Sequence, residues 1–75
     1  MAPSIRVRFG RRVRLLRAKR NWYQEDLAAH AGISRSHLSH IERGSPEVCL
    51  DTIEHLAEAF EMDISELLQL PTLKK

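Results

Sequence analysis

Two short segments with apolar faces, residues 24–31 and 35–43, meet at a single glycine, and no other feature constrains the fold of this chain as much. Their inward residues recur at helical spacing and are Leu27, Ala28, Ala31, Leu38 and Ile41. Gly32 supplies the positive φ that a chain leaving a helix often adopts. Ser34 can cap the second helix, because its hydroxyl accepts a hydrogen bond from a free N–H of the first turn. The sequence therefore predicts two helices packed across one tight turn.

The outward face of the second helix is expected to carry polar groups only. At about 100° per residue, the apolar residues fix its buried direction, and the exposed side then holds Arg35, Ser36, Ser39, His40 and Arg43. Two helices over one glycine turn are typical of a helix-turn-helix, whose second helix enters the DNA major groove. Guanidinium and hydroxyl groups bond to base edges there. Any solvated helix also has a polar face, so this interpretation depends on the glycine turn and on the charge distribution.

Charge is divided unevenly along the chain, although the net charge is only +2. Residues 1–44 hold ten basic and three acidic side chains, whereas residues 45–75 hold two basic and seven acidic ones. Eight of the basic residues lie between Arg6 and Arg20, with no acid among them. We therefore expect the first part of the chain to meet a polyanion such as DNA. A membrane surface is the weaker candidate, because the narrow apolar face of this basic segment is needed for the core.

A chain of 75 residues predicts a single domain over 1–75, with a core over about 5–70 and tails at 1–4 and 71–75. Helical spacing predicts an all-α fold with five helices, at about 5–20, 24–31, 35–43, 50–60 and 64–70. Asp63 and Glu66 resemble a capping box at the start of the last helix. No apolar run is long enough to cross a bilayer, and no apolar segment of a signal peptide is present. We expect a cytoplasmic protein with no membrane partner.

These residues resemble the lambda-repressor-like, Cro/C1-type (XRE) helix-turn-helix family over about Phe9 to Leu68. The matching segments are 9–17, 24–28, 31–36, 41–44, 50–54, 56–57 and 64–68. Each segment is short, and together they are specific. The resemblance implies a compact five-helix DNA-binding domain in which the second and third helices form the helix-turn-helix.

The resemblance also implies roles for single residues. Base edges would be read by Arg35, Ser36, Ser39 and His40. The DNA backbone would be contacted by Gln24, Ser34, Arg43 and Arg17. Arg17 and Glu42 match an ion pair that ties the first helix to the recognition helix.

The chain departs from the family pattern at Tyr23 and Cys49, where a Ser or Thr usually caps a helix. We expect Trp22–Tyr23 packing to support the second helix and a weakened start of the fourth. His37 and His40 could touch one metal ion, but a third ligand is missing, so no metal is expected. Cys49 has no evident oxyanion stabiliser or orienting group around it. We therefore expect no cofactor and no enzyme activity.

The sequence predicts a sequence-specific regulator of transcription that binds double-stranded DNA, as a repressor and as a homodimer on a near-palindromic operator. The alternative is an antitoxin or a restriction–modification controller that binds a partner protein and regulates its own promoter. A further alternative is an RNA-binding or bridging module, which would show little preference for duplex DNA. The C-terminal segment has more apolar side chains than the core needs, and this surplus predicts a dimer interface at Leu68, Leu70 and Leu73.

Overall fold

A computed structural model describes residues 3–45 and 47–70, and the regular structure in these residues is helical. The five helices are α1 (Ile5–Lys19), α2 (Gln24–Ala31), α3 (Arg35–Arg43), α4 (Leu50–Ala59) and α5 (Ile64–Leu67). The predicted all-α class is confirmed. The bounds of α2 and α3 are those predicted, and α1 and α4 each end one residue early. None of the described helices is long and apolar enough to span a bilayer.

The helix α5 is shorter than predicted, because it ends at Leu67 and does not continue to Leu70. The side chain of Arg12 donates to the carbonyl oxygens of Glu66 and Leu67, at 2.7 and 3.1 Å. In a longer helix the Leu67 carbonyl would need the N–H of residue 71, which is a proline and has none. An arginine from α1 thus satisfies the Leu67 carbonyl and gives the Glu66 carbonyl a second donor, beside the Gln69 N–H.

The core lies where the four longer helices meet and where α5 closes over them. Its largest fully buried side chains are Phe60, Leu27, Leu38, Ile41, Leu56, Leu67 and Val13. Full burial of one such side chain stabilises the fold by about 1.5–3 kcal/mol. In the first turn of α4, Leu50 is 80% exposed, whereas Thr52 is buried.

The two unusual helix starts behave differently from each other. The predicted packing of Trp22 on Tyr23 is wrong, since Tyr23 is 76% exposed and Trp22 stacks on His30 and Phe60. The carboxylate of Asp26 supports the start of α2 by accepting from the Tyr23 N–H at 2.8 Å. Cys49 forms no side-chain cap on α4, as expected. Its thiol lies 3.3 Å from the Thr52 hydroxyl, and this hydrogen bond lowers the pKa of Cys49.

Gly10 lets α1 and α3 cross at close range. A Cβ atom on Gly10 would lie 2.5 Å from the carbonyl oxygen of Ile41 and 2.7 Å from that of Glu42. These are backbone atoms, which cannot swing aside as the end of a long side chain does. The crossing therefore holds α3 against α1 through main-chain contact.

Candidate nucleic-acid interface

The helix α3 is presented by the turn that the sequence predicts. Gly32 adopts the left-handed conformation, with φ of 71°. The Ser34 hydroxyl accepts a hydrogen bond from the His37 N–H at 2.9 Å and so caps α3. Ile33 packs against the core from within the turn. The glycine turn, the Ser34 cap and the packing of Ile33 together fix where α3 begins.

The predicted base-reading residues occupy one face of α3. Arg35, Ser36 and His40 are exposed, and Ser39 is half-buried beside them. Arg43 lies one turn after Ser39 and donates to its hydroxyl at 2.8 Å. This face offers donors and acceptors to solvent while Leu38 and Ile41 remain buried on the opposite side.

The ion pair that the resemblance implies is formed between α1 and α3. Arg17 Nε lies 2.7 Å from Glu42 Oε2, and Arg17 Nη2 lies 3.0 Å from Glu42 Oε1. Glu42 is only 4% exposed. The hydrogen bond to this carboxylate raises the pKa of Arg17. Arg17 Nη1 also donates to the Trp22 carbonyl at 2.8 Å, so the guanidinium joins three parts of the chain.

Gln24 connects this buried pair to the surface. Its Nε2 donates to Glu42 Oε1 at 3.0 Å, and its Oε1 accepts from Arg35 Nη1 at 3.2 Å. A carboxylate only accepts hydrogen bonds and a guanidinium only donates them. The amide of Gln24 must therefore turn its nitrogen inward and its oxygen toward Arg35. The motif pattern gave no sign of this contact, because it depends on side-chain conformations and not on spacing.

The basic residues of α1 have different partners. Arg12 binds the end of α5, as described above, and Arg20 donates to the Phe60 carbonyl at the end of α4. The Arg20 guanidinium also lies 4.8 Å from the centre of the Phe60 ring. Arg6 pairs with Glu47 at 3.4 Å on the surface. The charge excess between Arg6 and Arg20 is thus partly structural.

Arg14 is a residue that the sequence reasoning missed. It lies on α1 and borders a surface depression of about 290 Å³ between α1, α2 and α3. The other residues that line this depression are Arg17, Gln24, Ser39, Glu42 and Arg43. Its spacing of three residues from Arg17 was a signal, because residues three apart share a helix face.

The predicted dimer residues are only partly described. Leu68 is 41% exposed, whereas Leu70 is partly buried against the core. Leu73 lies outside the described residues. A groove of about 290 Å³ runs beside Leu68, and its apolar lining consists of Ile5, Phe9, Val48, Ile53, Leu68 and Leu70. The apolar surface therefore extends beyond the C-terminal segment to the start of α1.

A family model described as a helix-turn-helix domain matches residues 8–70, which include α2, the glycine turn and α3. The chain belongs to this helix-turn-helix family. The predicted recognition is confirmed, and so is the broad prediction of a DNA-binding regulator of the helix-turn-helix class.

Three members of the helix-turn-helix family are similar to this chain. Control protein C.BamHI of Bacillus amyloliquefaciens is 39% identical over 74 residues, which cover 97% of this chain and 91% of that protein. The competence pilus inhibition repressor of Acinetobacter baylyi is 36% identical over 61 residues, covering 81% of this chain and 56% of the repressor. The crystal structure of the restriction-modification controller protein C.AhdI from Aeromonas hydrophila superposes with a TM-score of 0.79 at 41% identity, covering 81% and 92% of the two chains.

Proposed function

We propose that this protein is a sequence-specific regulator of transcription that represses by binding double-stranded DNA as a homodimer. The observation that carries this proposal is the exposed polar face of α3, which is held from behind by the Arg17–Glu42 pair and by the Gly10 crossing. A rigid helix with donors on its free side suits the major groove. The cytoplasmic localisation stays a prediction that follows from this role.

The proposed contacts divide into base reading and backbone binding. Arg35 binds guanine, with Ser36, Ser39 and His40 reading the neighbouring base edges. The backbone is contacted by Gln24, Ser34, Arg43 and Arg17. Two of the five N–H groups of Arg17 remain for a phosphate, since three already bind Glu42 and Trp22. The Ser34 hydroxyl accepts a hydrogen bond from the His37 N–H, so it can still donate its own hydrogen to a phosphate oxygen.

The dimer is proposed to form through the exposed apolar surface around Leu68. Leu70 and Leu73 belong to the interface predicted from the sequence, and the exposed Ile5, which lines the same groove as Leu68, adds to it. A symmetric pair would present its two α3 helices to successive major grooves, about 34 Å apart. The acidic residues 45–75 would lie away from the DNA, which agrees with the charge distribution.

Selection of bound duplexes from a random DNA pool tests this function. We expect enrichment of a near-palindrome whose half-sites are one helical turn apart. Competition with RNA of the same length provides the control. Equal retention of RNA and DNA, or the absence of any enriched sequence, would overturn the proposal.

A restriction–modification controller is the second candidate. The similarity to control proteins C.BamHI and C.AhdI extends over nearly their whole length, whereas it covers only 56% of the repressor. We propose on this ground that the protein regulates its own promoter beside restriction and modification genes. A reporter driven by the DNA upstream of its gene should change its output when the protein is supplied. An unchanged reporter, together with binding to an unrelated operator, would reject this candidate. A partner protein stays a prediction.

A further inference from the structure

Three arginines from two helices converge on the depression between α1, α2 and α3, which we call the arginine cleft. Its lining was given above: Arg14, Arg17, Gln24, Ser39, Glu42 and Arg43. Arg14 and Arg43 are exposed, whereas Glu42 lies at the buried base. The cleft thus has two exposed guanidinium groups at the surface and the Arg17–Glu42 ion pair below them.

The charges of the cleft favour an anion. Its one carboxylate, Glu42, is already bound by Arg17 and by Gln24, so it does not neutralise the other two arginines. Ser39 accepts from Arg43 at 2.8 Å and so directs that guanidinium along α3. The remaining groups are N–H donors and the O–H of Ser39, and such donors match an anion with several acceptor oxygens.

The position of the cleft selects the kind of anion. Ser39 and Arg43 belong to α3, which carries the proposed base-reading face, and Gln24 binds Arg35 on that face. An anion in the cleft therefore lies beside the groove into which α3 is proposed to dock. DNA places its backbone phosphates at the edges of that groove.

We propose that the arginine cleft binds one phosphodiester group, whose oxygens accept hydrogen bonds from the guanidinium groups of Arg14 and Arg43. This inference rests on the proposed function, because the phosphate is a backbone phosphate of the bound duplex. Arg14 thereby becomes a DNA-backbone residue on α1. The same chemistry would also accept free phosphate, and the experiment has to separate these two sources.

The first part of the experiment compares Arg14→Gln with Arg11→Gln. Arg11 is exposed on the same helix but does not line the cleft, so both changes remove one charge from one surface. Binding is measured at a series of salt concentrations to the selected operator and to a random duplex. We expect Arg14→Gln to reduce the slope of log K against log salt by about 0.9 on both duplexes. Arg11→Gln should leave the slope unchanged, and Arg14→Lys should restore most of it.

The outcomes separate this inference from the proposed function. Equal slope changes in Arg14→Gln and Arg11→Gln would overturn the cleft while leaving DNA binding intact. A wild-type chain that bound no duplex would overturn the proposed function and the source of the phosphate together.

The second part of the experiment titrates inorganic phosphate into the protein without DNA and follows the arginine side-chain NMR signals. Binding of phosphate at Arg14, together with duplex affinity that Arg14→Gln does not change, would assign the cleft to free phosphate and overturn the proposal. Weak phosphate binding that Arg14→Gln abolishes, together with the slope change, would support it.

Discussion

Gln24 joins a buried carboxylate to the arginine that is proposed to read bases. Each end of its amide has a different partner, and the partners fix which end faces outward. The sequence predicted Gln24 as a phosphate contact only. The structure gives it a second role, because Arg35 is long and flexible and its guanidinium is held by Gln24 before DNA arrives. Holding a side chain in advance lowers the entropy cost of binding.

Arg35→Ala should weaken binding to the operator by about 1–3 kcal/mol and should relax the preference at one base pair. The reason is its exposed place on the first turn of α3. Affinities for the operator and for duplexes altered at single positions provide the measurement. A variant that lost affinity equally for every duplex would contradict the role of Arg35 in base reading.

Gln24→Met keeps the side-chain length but removes both hydrogen-bonding groups. We expect lower affinity for all duplexes, from the lost phosphate contact, and a weaker preference at the base pair read by Arg35. A double-mutant cycle with Arg35→Ala should show non-additive losses, since the two side chains are in contact. Strictly additive losses would leave Gln24 as a phosphate contact alone.

Sequence reasoning predicted one contact of this candidate site and missed another. The Arg17–Glu42 pair followed from the resemblance. The Gln24–Arg35 bond did not follow, because it requires two particular side-chain conformations. Arg14 was not distinguished from the other arginines of α1, because their different partners depend on how the helices pack.

The helices α1 and α3 are held together by a charged contact and by a main-chain contact. Arg17 and Glu42 supply the first, and Gly10 supplies the second. The resemblance implied the ion pair, whereas the sequence pattern gave Gly10 no role. The early end of α5 was not predictable either, because local spacing predicts a helix to Leu70 and a distant residue, Arg12, binds the carbonyls where it stops.

Arg17→Ala should destabilise the fold, because it leaves the Glu42 carboxylate buried and without its partner. Breaking a buried pair in this way costs about 3–5 kcal/mol, and the partial exposure of Arg17 places the expected loss at the lower end. The double change Arg17→Met with Glu42→Leu should recover part of the loss. Denaturant unfolding of the wild type, Arg17→Met, Glu42→Leu and the double variant measures the coupling, and zero coupling would show that the pair does not hold α3.

Gly10→Ala should also destabilise the fold, although alanine is the better helix former by about 1 kcal/mol. The added methyl group meets the carbonyl oxygens of Ile41 and Glu42, and overpacking of this kind costs about 1–3 kcal/mol. Thermal unfolding measures the difference, with Arg11→Ala as an exposed control on the same helix. A variant as stable as the wild type would mean that α1 and α3 separate easily.

At the scale of the whole molecule, the two proposed functions use different surfaces. The arginine cleft and the outward side of α3 carry exposed arginines, while the groove beside Leu68 is lined mostly by apolar side chains together with the paired Arg6 and Glu47. The sequence predicted the basic surface from the charge distribution and the apolar surface from the surplus of apolar side chains in the C-terminal segment. It overstated the basic side, because Arg12 and Arg20 bind main-chain carbonyls inside the fold.

Leu68→Glu should give a folded monomer with much weaker operator binding, because Leu68 is exposed in one chain and is proposed to be covered in the dimer. Leu15→Glu is the matched control for assembly, since Leu15 is exposed to a similar degree on α1 and does not line the groove. Sedimentation across micromolar concentrations measures assembly. A wild-type chain that stays monomeric, or a Leu68→Glu chain that still forms dimers, would place the interface elsewhere.

The close approach of α1 and α3 at Gly10 has a consequence for how operator preference can change. Every contact that anchors α3 at this crossing uses its inner side or its main chain. Substitutions at Ser36 and His40 leave that attachment untouched, whereas Arg35 is joined to it through Gln24. Under the proposed function, new DNA specificities are therefore open to this scaffold by exchange of a few outward side chains, both in natural divergence and in the laboratory, without loss of the fold that carries them.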